Sequence, residues 1–309
     1  MKDKIAVLYG GISAEHEVSK MSAKSVMDNL DKEKFEIIPV EISKEGKFDI
    51  EKILSSDVAF PVLHGPGGED GSIQGLCEVF KKPYVGAGIE ASALALDKIA
   101  SKQIWQNLKL PIPSFFFFRE AEWRKNPSQI TQKVKLAVFV KPSTTGSSIG
   151  ISKVKKIEEF ARTVEEALKY DKRIIVEEAL DNIREIEVSV LGNEELTISV
   201  PGEISPAEEF YTYDAKYNLD SKLKIPAELS EEKIEEIQKL AELAYRALGC
   251  KGMARIDFFI TKNDEKVYLN EINTIPGFTK ISMYPKLLEA SGIPYKELLT
   301  RLIELAKER

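Results

Sequence analysis

Short apolar, β-prone runs alternate with helix-length segments over residues 1–95. The runs occupy residues 4–9, 36–42 and 57–65, and Ser13 is a candidate N-cap for the helix that follows the first run. Strands that alternate with helices form parallel sheets, and these bind ligands at the carboxyl ends of their strands. This part of the chain therefore predicts an N-terminal parallel α/β domain.

A middle region and a last region follow, with a boundary near residue 180. The middle region has a helix at about 156–169 and strand candidates at 114–118, 136–140 and 173–180. The last region has a helix at 231–248, with Ser230 as its N-cap and Gly249 as its stop. Its strands are expected at 186–192, at 252–260 and at 266–274, the last two around a turn at 263–264.

The composition excludes several classes of protein. The chain has 309 residues, of which 43% are apolar and 30% charged, as in a globular protein of two or three domains. The net charge of −6 argues against a nucleic-acid binder. The two cysteines, Cys77 and Cys250, form no metal-binding pair and are expected to be buried. No segment has the length of a signal sequence or membrane span, which predicts a cytoplasmic protein without membrane contact.

The segment KPSTTGSSIG, residues 141–150, directly follows an apolar strand. Its small residues are typical of a flexible linker. A lysine at the strand exit, followed by backbone amides that small side chains leave accessible, is equally suited to hold an anion. The residues alone leave both interpretations open.

Two carboxylates stand among apolar residues in the last two predicted strands. Residues two apart share a strand face, so Arg255 lies beside Asp257, and Glu271 beside Asn273. Buried carboxylates need a cation or a hydrogen-bond network. One interpretation is a solvated face or a structural ion pair of Arg255, Asp257 and Glu271. The other is a Mg²⁺ site, since oxygen ligands bind this ion together with substrate phosphates.

Other nucleotide motifs are absent or incomplete. The chain has no GxxxxGK[ST] sequence, which excludes a P-loop. GAGIEA, residues 86–91, has the form GxGxxA, but no acid stands at residues 106–111 where a dinucleotide fold would place its ribose ligand. We interpret this segment as a turn.

Seven segments resemble, in order, the motifs of the D-alanine–D-alanine ligases of the ATP-grasp superfamily. They are GGISAEHEVS (10–19), HGPGGEDGSIQG (64–75), ALDK (95–98), KPSTTGSSIG (141–150), FYTYDAKY (210–217), GMARID (252–257) and NEINTIPGFT (270–279). The resemblance covers the chain from Ile5 onward and implies a three-domain ATP-grasp architecture. Its domains would be residues 1–95, residues 96–180 with a phosphate loop, and residues 181–309 with a lid at 202–226 and a metal site.

The resemblance implies ATP-dependent joining of two D-alanines through an acyl phosphate, for peptidoglycan precursor synthesis. ATP and Mg²⁺ or Mn²⁺ would be required, with two ions bound, and the protein would be a homodimer. A D-alanine–D-lactate or D-alanine–D-serine ligase has the same fold and stays open as an alternative. A different ATP-grasp ligase, or a nucleotide-binding regulator without catalysis, accounts for fewer of the motifs.

The resemblance also assigns roles to individual residues. ATP would be held by Lys98, Lys141, Gly146, Ser148, Glu177, Leu180 and Glu185. The metal ligands would be Asp257, Glu271 and Asn273. The catalytic residues would be Glu15, Ser147, Tyr217, Arg255 and Gly277, and the further substrate-binding residues His64, Ser282 and Lys216.

Two of these assignments have alternatives. The segment EEALDNIRE departs from its relatives in spacing, so Glu187 competes with Glu185 as the ribose ligand and is otherwise an exposed strand acid. His64 stands in a matched motif and is expected to contact the second substrate or relay a proton. His16 is expected to be a solvated helix residue.

Overall fold

The structure is a computed structural model that describes residues 2–205 and 222–308. Its strands are β1 (Asp3–Gly10), β2 (Phe35–Ile42), β3 (Val58–Pro61), β4 (Phe115–Arg119), β5 (Val138–Pro142), β6 (Ser152–Val154), β7 (Arg173–Glu178), β8 (Ile183–Gly192), β9 (Leu196–Ile198), β10 (Gly202–Ser205), β11 (Lys222–Lys224), β12 (Gly252–Thr261) and β13 (Val267–Asn273).

The helices are α1 (His16–Asn29), α2 (Ile50–Leu54), α3 (Ser72–Val79), α4 (Ile89–Leu96), α5 (Lys98–Asn107), α6 (Glu120–Lys125), α7 (Pro127–Thr131), α8 (Ile157–Ala167), α9 (Glu231–Ala247), α10 (Met283–Ala290) and α11 (Tyr295–Lys307). Within the described ranges, no helix combines the length and the apolar character needed to cross a membrane.

The N-terminal sheet has the order β2-β1-β3, and both of its strand pairs are parallel. The parallel sheet predicted from the sequence is therefore confirmed. Ser13 is not the cap of α1, because that helix begins at His16 with Glu15 in the N-cap position. The Ser13 hydroxyl instead donates to the His64 carbonyl at 2.6 Å and accepts from the Glu15 amide at 3.2 Å.

The central sheet is antiparallel, with the order β4-β7-β5-β6, and it packs around a core of its own. Phe118 and Trp123 stack, and Trp123 meets Phe160 of α8 edge to face at 5.9 Å. The three predicted strands and the predicted helix of this region are confirmed. We call residues 115–178 the central body.

The C-terminal sheet has the order β11-β10-β8-β12-β13, and β9 pairs with β8. On one of its faces lies α9, whose N-cap Ser230 accepts from the Lys233 amide as predicted. Trp105 of α5 is buried in the same apolar cluster as α9.

The C-terminal sheet and the N-terminal sheet share one apolar core. Phe60 of the N-terminal sheet contacts Phe278 edge to face at 5.9 Å, and Leu299 and Ile303 of α11 complete the cluster. Helix α11 packs on β3, α1, β8 and β12. We call the two sheets and the helices packed on them the joined body. The division into three domains at residues 95 and 180 stays a prediction.

Candidate active site

Strands β12 and β13 bring together the acidic residues singled out in the sequence. Asp257 lies opposite Glu271, and Arg255 lies opposite Asn273. The Arg255 guanidinium donates to both carboxylate oxygens of Asp257 at 2.7 Å, and the Asn273 amide donates to Asp257 at 3.2 Å. The four residues therefore form one polar group on the sheet.

Glu187 joins this group from the neighbouring strand β8. Its carboxylate lies 3.0 Å from Arg255 Nε, and the residue is only 6% exposed. The interpretation of Glu187 as an exposed acid is wrong, because β8 is an inner strand and its register places Glu187 between Gly202 and Asp257.

The charges of this group do not balance. Burial lowers the pKa of Arg255, but Asp257, Glu187 and Glu271 outweigh that effect and raise the pKa well above its usual value. Three carboxylates thus surround one permanently charged guanidinium. The excess negative charge favours a further cation at this place.

The donor atoms fit Mg²⁺ that arrives with a nucleotide. Across the part of the chain that the structure describes, no three His, Cys, Asp or Glu residues form a self-sufficient metal site. Asp257, Glu271 and Asn273 offer two carboxylates and one amide oxygen. Mg²⁺ commonly uses one or two carboxylates and takes its other ligands from water and substrate phosphates. The residues present therefore suit an ion shared with substrate rather than a structural ion.

A buried cluster of two lysines and one glutamate lies between the central sheet and α5. Glu177 of β7 is 2.6 Å from Lys141 Nζ and 2.8 Å from Lys102 Nζ. Burial raises the pKa of Glu177, but the two ammonium groups outweigh it and lower that pKa to about 2. Glu177 is therefore ionised at neutral pH, and the two lysines share its single charge.

The loop after β5 lies against both bodies. Its Thr145 carbonyl accepts from Lys98 Nζ at 2.5 Å, and its Ser147 hydroxyl donates to Glu15. Ser147 and Ser148 both have left-handed backbone conformations, with φ of 51° and 60°. Such turns make concave sites where successive amides meet an anion, which supports a phosphate-holding loop over a linker.

The beginning of this loop is fixed by carboxylates. Asp171 accepts from the Thr144 amide at 3.0 Å and from its hydroxyl at 2.8 Å. Asp97, which caps α5, accepts from the Ser143 hydroxyl at 2.5 Å and from Arg173 at 2.6 Å. These contacts hold Lys98, at the start of α5, close to the loop.

Two cavities meet at the tip of the loop. One, of about 250 Å³, is lined by Glu15, His64, Lys98, Gly146, Arg255, Asn273, Gly277 and Ser282. The other, of about 890 Å³, is lined by Lys141, Glu177, Leu180, Glu185 and Asp257. Ser147, Ser148, Glu187 and Glu271 line both. Most of the predicted nucleotide residues thus line the larger cavity, whereas Lys98 and Gly146 line the smaller one together with the predicted substrate residues.

His64 is buried in the smaller cavity beside two acids. Its Nε2 is 3.0 Å from the Ser22 hydroxyl, and its Nδ1 is 3.8 Å from the Glu69 carboxylate. Burial lowers the pKa of His64, but Glu69 and Glu15 outweigh it and leave that pKa above its usual value. Burial also raises the pKa of Glu69. Two titratable groups therefore lie side by side in the smaller cavity, which is the arrangement that a proton relay requires.

His16 is not the solvated residue that the sequence suggested. It is 5% exposed, and its Nδ1 lies 2.7 Å from the Gly11 carbonyl. The ring packs against Gly10, where an added Cβ would lie 2.9 Å from the imidazole. His16 therefore supports the turn after β1.

Gly277 and Ser282 adjoin each other in the smaller cavity. A Cβ at Gly277 would lie 2.6 Å from the Ser282 hydroxyl, so a side chain there would displace that group. Ser282 precedes α10 and contacts Thr279 Oγ1 at 2.9 Å. The helix N-terminus adds favourable potential for a carboxylate at this place.

Lys216 and Tyr217 lie outside the described residues, as does most of the predicted lid. Only its ends are described, and they pair as β10 and β11. Of the two ribose candidates, Glu185 lines only the larger cavity. Glu187 instead pairs with Arg255, which favours Glu185 as the ribose ligand.

Comparison with known proteins agrees with this arrangement. A family model described as D-ala D-ala ligase N-terminus matches residues 4–56 and 49–87, and one described as D-ala D-ala ligase C-terminus matches residues 104–304. The chain belongs to the D-alanine–D-alanine ligase family. Among its relatives, the D-alanine–D-alanine ligase of Clostridium novyi is 47% identical, over 100% of this chain and 99% of that protein. That of Caldicellulosiruptor bescii is 46% identical, over 100% and 96%.

Solved structures of the family have the same fold. The VanG D-Ala:D-Ser ligase of Enterococcus faecalis superposes with a TM-score of 0.89 at 34% identity, covering 99% of this chain and 100% of that one. The D-alanine–D-alanine ligase of Coxiella burnetii superposes with a TM-score of 0.85 at 35% identity, covering 100% and 94%. The expected α/β ATP-grasp fold is thereby confirmed.

Three residues of the site were not predicted from the sequence. Glu69 stands inside the HGPGGEDGSIQG motif, and Asp97 stands in ALDK as the helix cap before Lys98. Lys102 follows Lys98 by four residues, on the same face of α5 as the buried Trp105. The position of Lys102 on the same helix face as Trp105 was the sequence signal for its burial, because a lysine on an apolar helix face requires a buried partner.

Proposed function

We propose that this protein joins two D-alanines to D-alanyl-D-alanine at the expense of ATP, for the synthesis of peptidoglycan precursors. Two relatives that match this chain over its whole length, at 46% and 47% identity, are named D-alanine–D-alanine ligase. The observation that best supports the mechanism is the junction of the two cavities. There the phosphate loop, Glu15 and the acidic group of β12 and β13 meet around one space.

The first chemical step is attack of one D-alanine carboxylate on the γ-phosphate of ATP, which forms an acyl phosphate and releases ADP. Lys98, Lys141 and the amides around Gly146 and Ser148 would hold the phosphates across this junction. Phosphoryl transfer depends mainly on positioning the reactants and on stabilising the negative charge of the transition state. These lysines and amides would therefore supply most of the rate acceleration. Glu15, held by Ser147, would orient the ammonium group of this first D-alanine.

The second step is attack of the other D-alanine amine on the acyl phosphate, which forms the peptide bond through a tetrahedral intermediate and releases inorganic phosphate and a proton. Arg255 and the Gly277 amide would stabilise the negative oxygen of the tetrahedral intermediate. Ser282 would hold the second carboxylate, and His64 would lie near the incoming amine. Lys216 and Tyr217 would act from the lid, which would exclude water from the acyl phosphate.

We also propose that Asp257, Glu271 and Asn273 bind Mg²⁺ or Mn²⁺, with two ions per site. The ions would neutralise phosphate charge during transfer. Glu177, Leu180 and Glu185 would contact the adenosine part of ATP. The remaining proposals are a cytoplasmic homodimer and domain boundaries at residues 95 and 180; sedimentation would test the dimer.

A phosphate-release assay tests the function directly. With Mg²⁺ present, ATP turnover should require D-alanine and should yield D-alanyl-D-alanine. Equal hydrolysis without D-alanine would contradict a ligase. A preference for D-serine over D-alanine as the second substrate would favour a D-alanine–D-serine ligase. The VanG structure raises that alternative, at lower identity than the relatives named above.

Acceptor choice can be tested at the lid. Tyr217→Phe removes one hydroxyl, a loss on the order of 1 kcal/mol for a neutral hydrogen bond. The ratio of D-alanyl-D-lactate to D-alanyl-D-alanine formed from mixed acceptors should therefore rise several-fold. An unchanged ratio would show that Tyr217 does not select the acceptor.

A further inference from the structure

Lys102 is a fully buried lysine, the fifth residue of α5 and about one helical turn after Lys98. It is 1% exposed, and its ammonium group lies 2.8 Å from Glu177 and 3.2 Å from the Asn270 carbonyl. Burying an ammonium group costs several kcal/mol unless it is paired. A lysine kept in such a place needs a reason beyond packing.

The contacts of Lys102 connect the two bodies. Glu177 belongs to β7 of the central body, whereas Asn270 belongs to β13 of the joined body and immediately precedes Glu271. Helix α5 itself packs on the joined body through Trp105. The ammonium group therefore spans the border between the bodies at the place where the larger cavity is lined by both Glu177 and Glu271.

The local charges give Lys102 a second effect. Lys141 Nζ lies 2.6 Å from the Glu177 carboxylate. Without Lys102, these two opposite charges would cancel, and no net positive charge would be left to bind a phosphate. Burial lowers the pKa of Lys102, and the contact with Glu177 opposes that effect. With Lys102 protonated, two ammonium groups share one carboxylate, and one positive charge remains in excess. Lys141 faces the cavity, whereas Lys102 is fully enclosed, so the excess charge is available on the Lys141 side.

We propose that Lys102 is a positioning residue for ATP: it neutralises Glu177 from behind, so that Lys141 keeps its charge for the phosphates, and it fixes β7 relative to β13. This inference rests on the proposed function, since it assumes that Lys141 and Glu177 meet ATP. It predicts a coupling between Lys102 and Glu177 that a packing role alone would not produce.

The test measures by calorimetry how Lys102→Met changes the affinity for the β,γ-imido analogue of ATP in two backgrounds, native and Glu177→Gln. Mg²⁺ is present and D-alanine is absent. In the native background we expect affinity to fall roughly tenfold to a hundredfold, because the charge facing the phosphates is lost. In the Glu177→Gln background the same change should cost less than about threefold, because no carboxylate is left to neutralise. In turnover assays, KM for ATP should rise while kcat stays within about threefold.

Lys169→Met is the matched control. Lys169 also has a carboxylate partner at 2.6 Å, but the pair is exposed, so its loss should change neither affinity nor KM. If Lys102→Met does not fold, the inference is tested by comparing the affinity of Glu177→Gln for the analogue with that of the double variant. The double variant is expected to fold, because removing both members of a buried pair is often tolerated. Failure of the single variant alone would then show that Lys102 acts through Glu177.

Equal losses in both backgrounds, or no loss in either, would overturn the inference. A double variant that binds the analogue much more weakly than Glu177→Gln would overturn it as well. If the native protein itself fails to bind the analogue, the proposed function fails instead, and the two failures are thereby distinguished.

Discussion

The central body packs around its own core, whereas the N-terminal and C-terminal sheets share one. Phe160 is buried only among residues of the central body, while Phe278 contacts Phe60 of the N-terminal sheet and Tyr284 of α10 in the shared core. Across the border between the bodies, the contacts described above are polar. They include Asp97 with Arg173 and Lys102 with Glu177. Bodies that meet through polar contacts are expected to move relative to one another.

The border coincides with the larger cavity, and its two sides carry different groups. The central body supplies Lys141 and the phosphate loop. The joined body supplies Asp257 and Glu271, the carboxylates of β12 and β13. Changes around Lys141, including those at the residues of α5 on the border, should therefore act mainly on ATP affinity, and changes at the carboxylates of β12 and β13 mainly on turnover.

The largest expected effect is that of Glu271→Gln in the joined body. Glutamine preserves the shape of the side chain but removes the charge of a proposed metal ligand, which is expected to lower kcat about a thousandfold. Circular dichroism should show an unchanged fold. Glu235→Gln, at an exposed position of α9, is the control and should keep full activity. Near-normal turnover of Glu271→Gln at low Mg²⁺ would show that Glu271 is not a ligand.

The second prediction concerns the cores themselves. Phe278→Ala and Phe160→Ala each remove a fully buried ring and should cost about 3–5 kcal/mol. The chain has two tryptophans, Trp105 in the joined body and Trp123 in the central body. Single-tryptophan variants then report each body separately by fluorescence.

Phe160→Ala should lower the midpoint of the Trp123 transition more than that of the Trp105 transition. Phe278→Ala should do the reverse. One common transition, shifted equally by both changes, would mean that the two bodies unfold as a single unit.

A smaller effect is expected from Asp97→Asn at the border. Asparagine still caps α5, but it loses the ion pair with Arg173. Burial raises the pKa of Asp97, and Ser143 and Arg173 outweigh it and hold that pKa below its usual value. Its contribution to stability is therefore present above the unfolded pKa of about 3.9 and is lost as the pH falls through the folded value.

We expect KM for ATP to rise roughly fivefold in Asp97→Asn, as for a loss of about 1 kcal/mol. The difference in unfolding free energy between native protein and variant should shrink between pH 5 and pH 2. A constant difference over that range would exclude the ionised carboxylate as its source.

The smallest predicted effect is that of Thr144→Val in the phosphate loop. Valine loses the hydroxyl contact with Asp171 but keeps the amide contact, which should raise KM for ATP about twofold to threefold. Thr163→Val, which loses a hydroxyl contact to a carbonyl within α8, is the control. A larger rise in KM for ATP in Thr163→Val than in Thr144→Val would show that the Thr144–Asp171 contact does not contribute to ATP binding.

Much of the fold could be predicted because strand and helix periods depend on local sequence. The pairing of β12 and β13 followed from a turn between two apolar runs, and the period of two placed Arg255 beside Asp257. The burial of Glu187 could not be predicted in this way. It depends on β8 being an inner strand, and strand order is not a local property.

Lys102 and His16 were missed for a related reason. Each stands on a helix with other polar residues nearby, and exposure is the usual state for such side chains. The burial of Lys102 depends on Glu177, which is far away in sequence, and that of His16 on how the turn after β1 folds back onto its ring. The family motifs, by contrast, indicated most of the lining of the smaller cavity, because those residues stand together in short segments.

The packing of α11 has a consequence for how the protein is made. The N-terminal sheet is synthesised first, yet Leu299 and Ile303 cover part of its apolar face. Until almost the whole chain has left the ribosome, that face must remain exposed or be bound by a chaperone. Translation that stops before α11 should therefore yield an aggregation-prone product, although every strand of the N-terminal sheet is already present.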